Sequence, residues 1–169
     1  GPSRQQSYLY YDDYELLQKT LTNNISAIIP TVQSSYTVKY EDESFSAAVV
    51  GVMEAQEKIR SLNVSDGRFI TDRDNKSQSF VAVLGSSMAE DLFGDASPVG
   101  ETISINGKKF QVVGLLESKG LSFDSPDESI LVPIETGYAK LFSDTALHEG
   151  KKTVNNILVS VESTEAMDT

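Results

Sequence analysis

Apolar positions near the start of the chain recur at helical spacing and then switch to alternation. Asp12-Asp13 precede a run in which Leu17 and Leu21 lie four apart, and Glu15 follows Asp12 by three, which predicts a helix beginning at these aspartates. Beyond Asn23-Asn24 and the isoleucines Ile25, Ile28 and Ile29, two β-rich runs follow, Tyr36 to Tyr40 and Phe45 to Val50. The polar tetrad Glu41 to Ser44 between them makes a hairpin the natural reading. Glu54 to Leu62 returns to helical spacing, with Ile59 and Leu62 three apart.

The middle of the chain changes character. Thr71 to Ser79 reads as a polar loop, and Phe80 to Leu84 is continuously apolar, as in a strand buried on both faces. Gly85 ends that strand, Ser86-Ser87 are placed to cap a helix from Met88 to Phe93, and Gly94 offers the left-handed residue that stops it. Glu101 to Ile105 and Lys108 to Val113 flank Asn106-Gly107, the strongest short hairpin signal, because both central residues of a type I′ turn need positive φ.

Gly120 to Glu128 is a polar loop, Ser129 to Val132 a strand closed by Pro133, and Glu135 to Phe142 a short helix. Ser143 to Lys152 carries no clear pattern. Val154 to Val161 alternates and reads as one strand, and a further helix begins at Ser163.

Composition narrows the field. A chain of 169 residues, 39% hydrophobic and 23% charged, suits one folded domain or two small lobes and excludes large multidomain enzymes. A net charge of −11 disfavours nonspecific attraction to nucleic acid or anionic lipid and leaves cationic partners open. The absence of cysteine removes disulfides, thiolate metal sites and cysteine nucleophiles together. No apolar run approaches the roughly 18 residues of a membrane span. Gly1-Pro2-Ser3, lacking an initiator methionine, reads as a protease remnant, so flanking segments are expected on both sides.

Three patterns carry candidate chemistry. Gly85 to Ala89 joins a buried strand to a helix through serines, as a nucleophile elbow does, but Ala89 replaces the second glycine. Ser87, Asp91 or Asp144, and His148 complete the formal order serine, acid, histidine; serines satisfying helix-start amides account for the same residues and are the preferred reading. Asp72 to Asn75 and Asp124 to Glu128 offer oxygens to calcium, yet neither has EF-hand spacing, and solvated turns explain both. Asn24, Asn63 and Asn75 head glycosylation sequons too short to carry weight. The tyrosines Tyr8, Tyr10 and Tyr11 either meet a partner or bilayer headgroups, or pack beside the first helix. Gly67-Arg68-Phe69 supplies a turn and an arginine able to tie down carboxylates or carbonyls.

The ordered fragments Asp66 to Phe69, Val81 to Gly85, Ala89 to Gly94, Pro98 to Gly100, Ile103 to Gly107 and Phe110 to Gly114 resemble the extracytoplasmic core domain of MacB-type ABC transporter permeases, a superfamily that also holds LolC/LolE and FtsX-like proteins. The resemblance implies an α+β fold with a porter-like α/β lobe built from both chain ends, residues 4–53 and 148–169. A small α/β lobe, residues 54–147, is inserted between them, and residues 1–3 are a tag remnant. Gly67, Arg68, Gly85, Gly94, Gly100, Gly107 and Gly114 are then structural motif residues, with no catalytic, cofactor or metal site.

By the same resemblance the domain lies on the extracytoplasmic side of the cell membrane, between two membrane helices of a permease. It couples motion driven by a cytoplasmic ATPase to export or resistance, antimicrobial peptides among the substrates. The partners implied are a second permease subunit, the ATPase, an adaptor of the membrane-fusion type and a peptide substrate. No Gly-x-x-x-x-Gly-Lys-Ser/Thr loop is present, so ATP hydrolysis belongs elsewhere. The competing class is a freestanding secreted or surface module holding a peptide or glycan. Apolar spans of about 20 residues before Gln5 and beyond Thr169 in the full gene product separate the two.

Overall fold

A computed structural model of the chain describes residues 8–21, 23–120 and 125–162. Its elements run β1 (Leu9–Tyr10), α1 (Tyr11–Thr20), β2 (Ile25–Tyr40), β3 (Glu43–Val52), α2 (Gln56–Ile59), β4 (Val64–Gly67), α3 (Asp72–Ser77), β5 (Val81–Leu84) and α4 (Ser86–Phe93). Then follow β6 (Thr102–Ile105), β7 (Lys108–Leu116), β8 (Ser129–Pro133), α5 (Ile134–Lys140), a 3-10 turn at Phe142–Asp144, β9 (Leu147–His148), β10 (Lys151–Val154) and β11 (Asn156–Val161). The fold is α+β, as the resemblance implies.

Six strands close on themselves. β2 pairs β3, β3 pairs β8 in parallel, β8 pairs β5, β5 pairs β7 in parallel, β7 pairs β6, and β6 returns to β2 at Val38↔Ile105 and Lys39↔Ser104. All six contribute to one buried cluster, including Val38, Val49, Leu84, Ile105, Phe110 and Ile130, so these side chains fill the inside of the ring. Each such fully buried large side chain contributes about 1.5–3 kcal/mol. Intervening residues face outward: Val50, Val83 and Leu131 join Leu62, Phe69 and Ile70 in a second cluster on the outer face. β4 extends the sheet beyond β7, and β11 extends it beyond β2. The ring draws β2 and β3 from residues 4–53 and its other strands from residues 54–147.

The hairpin between β6 and β7 turns at Asn106 and Gly107, with φ of 50° and 79°, as the sequence predicts. An added Cβ at Gly107 would meet no atom within 4 Å, so only backbone conformation penalises a side chain there. Gly107→Val is therefore expected to cost about 1–2 kcal/mol. That lowers Tm by roughly 2–4 °C per kcal/mol in thermal denaturation, and an unchanged Tm would contradict it.

Several elements differ from the sequence reading. The first helix starts one residue before Asp12, and it is the Asp13 carboxylate that accepts the Tyr10 backbone N–H at 2.8 Å. Glu54 to Leu62 holds only the single turn α2, ended by Ser61 at positive φ. The expected loop Thr71 to Ser79 contains α3, capped by Thr71 through the Asp74 N–H. Ser143 to Lys152 contains another two-residue hairpin, turning at Glu149 and Gly150 with φ of 52° and 79°. The strand expected over Val154 to Val161 divides at Asn155: β10 joins β1 and β9 in a small sheet, while β11 pairs β2. The helix expected from Ser163 lies outside the described residues.

Candidate functional site

The junction of β5 and α4 is the place where a nucleophile would sit. Gly85 is the residue flanking the helix at its start, and no side chain caps it, which corrects the expectation that Ser86-Ser87 do so. The amides are satisfied by another segment: the Asp127 carbonyl accepts the Ser87 and Met88 N–H groups at 2.9 and 3.0 Å. His148 belongs to β9, where its ring stacks on Tyr8 with centroids 3.8 Å apart and its Nε2 lies 4.0 Å from the Glu149 carboxylate. Among the described residues no hydrogen bond or ion pair joins Ser87 to His148.

The Asp127 carboxylate is held in the same junction. The Ser118 hydroxyl donates to it at 2.7 Å and the Lys119 N–H at 2.9 Å, and the side chain as a whole is buried. Burial by itself pushes the carboxyl up, but the Lys119 amide, the Ser118 and Ser125 hydroxyls and the Gly120 amide outweigh it and hold the group below the usual carboxylate range. Asp124, the first oxygen donor of this acidic cluster, lies outside the described residues.

In the other acidic cluster, Asp74 is committed to Arg68. The guanidinium donates at 2.7 and 3.3 Å, and the Thr71 N–H adds a bond at 2.9 Å. Burial raises the Asp74 carboxyl, and Arg68 with Thr71 more than reverses it, leaving it below its ordinary range. Asn75 is spent on the Val52 carbonyl and the Glu135 N–H. Among the described residues no three His, Cys, Asp or Glu side chains are grouped to hold a metal ion.

Arg68 also donates to the Phe69 carbonyl, and its N–H bonds the Val113 carbonyl at 2.9 Å. This brings the 67–68 backbone against 113–114 so closely that a Cβ on Gly67 would strike Val113 and one on Gly114 would strike Arg68. Gly94 and Gly100 lie in open space, at φ of 62° and 94°. Of the expected motif glycines, Gly67, Gly85 and Gly114 stand where a Cβ would meet backbone, and Gly67, Gly94, Gly100 and Gly107 have positive φ.

A buried aromatic cluster and an open cleft lie elsewhere. Tyr11, Tyr14, Tyr138 and Phe142 form an edge-to-face chain beside α1, with the Lys152 ammonium 5.0 Å from the Tyr138 ring centre. Burial, then neighbouring charge, pushes the Tyr11 hydroxyl well above its ordinary value; for Tyr138 burial again leads. A cleft of about 1030 Å³ opens on the outer face, lined among others by Arg60, Lys119 and Ser125 and by Asn155, Ile157 and Leu158 of the β10–β11 stretch. Lys119 Nζ donates to the Arg60 carbonyl at 2.9 Å across it. This cleft escaped the sequence because its residues, from Thr31 to Leu158, are brought together by long-range contacts, the β11–β2 pairing among them.

The described residues thus form a ring of six strands with an appended ribbon. The MacB-like periplasmic core domain model matches residues 1–169, and the chain belongs to that family. It is 36% identical over 127 residues to the macrolide export ATP-binding/permease protein MacB of Bdellovibrio bacteriovorus, covering 73% of this chain and 20% of that protein. It is 31% identical over 102 residues to the uncharacterized ABC transporter permease YknZ of Bacillus subtilis, covering 59% and 26%. The chain thus spans about a fifth to a quarter of the length of these relatives. Two solved structures share the fold: the extracellular domain of the YknZ transporter from Gram-positive bacteria and the periplasmic region of MacB from Actinobacillus actinomycetemcomitans. Their TM-scores are 0.76 and 0.75, each at 24% identity, over 96% and 98% of this chain and 78% and 72% of theirs. No helix among the described residues is long and apolar enough to cross a membrane.

Proposed function

We propose that this domain, held on the extracytoplasmic side of the cell membrane, transmits ATP-driven movement of a paired MacB-like permease to the export of a substrate. The membership of the whole chain in the MacB-like periplasmic core family carries the reading. Hydrolysis takes place in a separate cytoplasmic ATPase. The two-lobe division, 4–53 with 148–169 and 54–147, belongs to the same proposal, with the shared ring as the joint. A net charge of −11 favours cationic cargo, antimicrobial peptides included, through long-range attraction that salt weakens. An adaptor of the membrane-fusion type is the further partner in this scheme. Because neighbouring membrane helices keep two permeases together, the contact between their outer domains needs only low intrinsic affinity.

Deleting residues 8–162 from the intact permease is the test. Cells should become more sensitive to a cationic antimicrobial peptide while the membrane-bound ATPase still hydrolyses ATP. Unchanged survival at every peptide concentration would reject export of that class.

A further inference from the structure

β11 is exposed in three directions at once. It ends the sheet path, so one of its edges has no strand beside it among the described residues. Leu158 and Val159 point to opposite faces, as neighbours in a strand must, yet they are 40% and 39% exposed, and Val161 is 65% exposed. Soluble proteins blunt such an edge with charge, proline or a bulge that twists it away. From Asn156 to Ser160 β11 has neither charge nor proline, and its register shifts only at the last step, between Ser160 and Val161.

The absence of charge extends across the whole ribbon. Between Lys19 and Lys39 there is no Asp, Glu, Lys, Arg or His, and the same holds between Lys152 and Glu162. These are the stretches that pair as β2 and β11, from Asn156↔Thr31 to Val161↔Ile25. In a chain that is 23% charged and carries a net −11, most surfaces repel their own copies. The ribbon does not. A partner with a different sequence would need its own uncharged edge, whereas a twofold axis through β11 supplies one automatically.

We infer that β11 is the contact between two copies of this domain, through antiparallel pairing of one β11 edge with the other about Val159, which then lies opposite its own copy. This rests on the paired-permease reading and specifies the surface it uses. Such pairing would continue the sheet from one copy into the next and cover Leu158 and Val159 on both.

The chain contains no cysteine, so a single introduced thiol reports one position only. In the intact permease in native membranes, with any cysteines outside this domain replaced by serine, Val159→Cys should give, on mild oxidation, a disulfide-linked species of twice the subunit mass. Lys108→Cys, at the start of β7, should give several-fold less. Adding Leu158→Lys to Val159→Cys should abolish the cross-link. Equal cross-linking at 159 and 108 would mark random collision and overturn the proposal. A cross-link from position 159 to a protein of different mass would replace the second copy with another partner. If two differently tagged permeases co-purify but Val159→Cys never links, β11 is not their contact, although pairing stands. If the tagged copies do not co-purify, the paired-permease reading fails, and this inference with it.

Discussion

Gly85→Ala is expected to remove a large part of the domain's stability, although the glycine has an ordinary negative φ of −68°. The reason is proximity. A Cβ at this position would lie 2.5 Å from the Asp127 carbonyl oxygen and closer still to that of Pro126, and both are backbone atoms that no side-chain rotation can move. Relief requires the 126–127 backbone to retreat, which breaks the two bonds from the Asp127 carbonyl to the first turn of α4 and loosens the Asp127 carboxylate. Overpacking against backbone together with those lost bonds should cost on the order of 3 kcal/mol. For a chain of this length that is a Tm lower by roughly 6–12 °C in calorimetry. A Tm equal to the parent's would mean that the junction adapts freely and that this close approach is not a constraint.

Asp127→Asn should be nearly as costly near neutral pH, and its cost should fade in acid. The native carboxyl is held below its ordinary value, so its contribution to stability is complete above that value, near pH 4, and is lost as the pH falls through the depressed native value. In the variant one amide oxygen replaces the two carboxylate oxygens that receive the Ser118 hydroxyl and the Lys119 N–H. Ser118 can turn its hydroxyl to accept from the new NH₂ group; the Lys119 amide cannot. A deficit of about 1–3 kcal/mol is expected at pH 7. Urea unfolding at pH 7, 5 and 3 should show the gap between parent and variant closing with acidity. A gap that stays constant across this range would show that the charge on Asp127 contributes nothing. Asp74, held down in the same way by Arg68, keeps the parent itself acid-sensitive.

The elements legible in the sequence are those whose cause is local. Asn106-Gly107 dictates its turn regardless of what surrounds it, and the unbroken run Val81–Leu84 is buried throughout because both faces of β5 are covered. The resemblance rested on this same middle third. Two missed elements left signals: Thr71 with Asp74 three residues later is a capping box, and Glu149-Gly150 is a hairpin turn less conspicuous than Asn-Gly. Pro30 lies inside the long strand β2. It is accommodated because β3 begins pairing only at Val32, so the missing N–H interrupts no β2–β3 bond. Ring closure at Val38↔Ile105, the division at Asn155 and the cleft beside β11 depend on residues far apart in the chain, which no window of periodicity can register.

β2 belongs to the ribbon at one end and to the ring at the other, and it passes between them as a single extended segment of roughly 50 Å. A tug on the ribbon therefore reaches the ring as tension along a taut backbone, with no slack joint to absorb it. Because β2 is paired along nine residues with β3 and closes on β6, such a load falls on rows of hydrogen bonds sheared together. That makes this part of the molecule a stiff rod fixed in a stiff collar, suited to passing on displacement without being deformed by it.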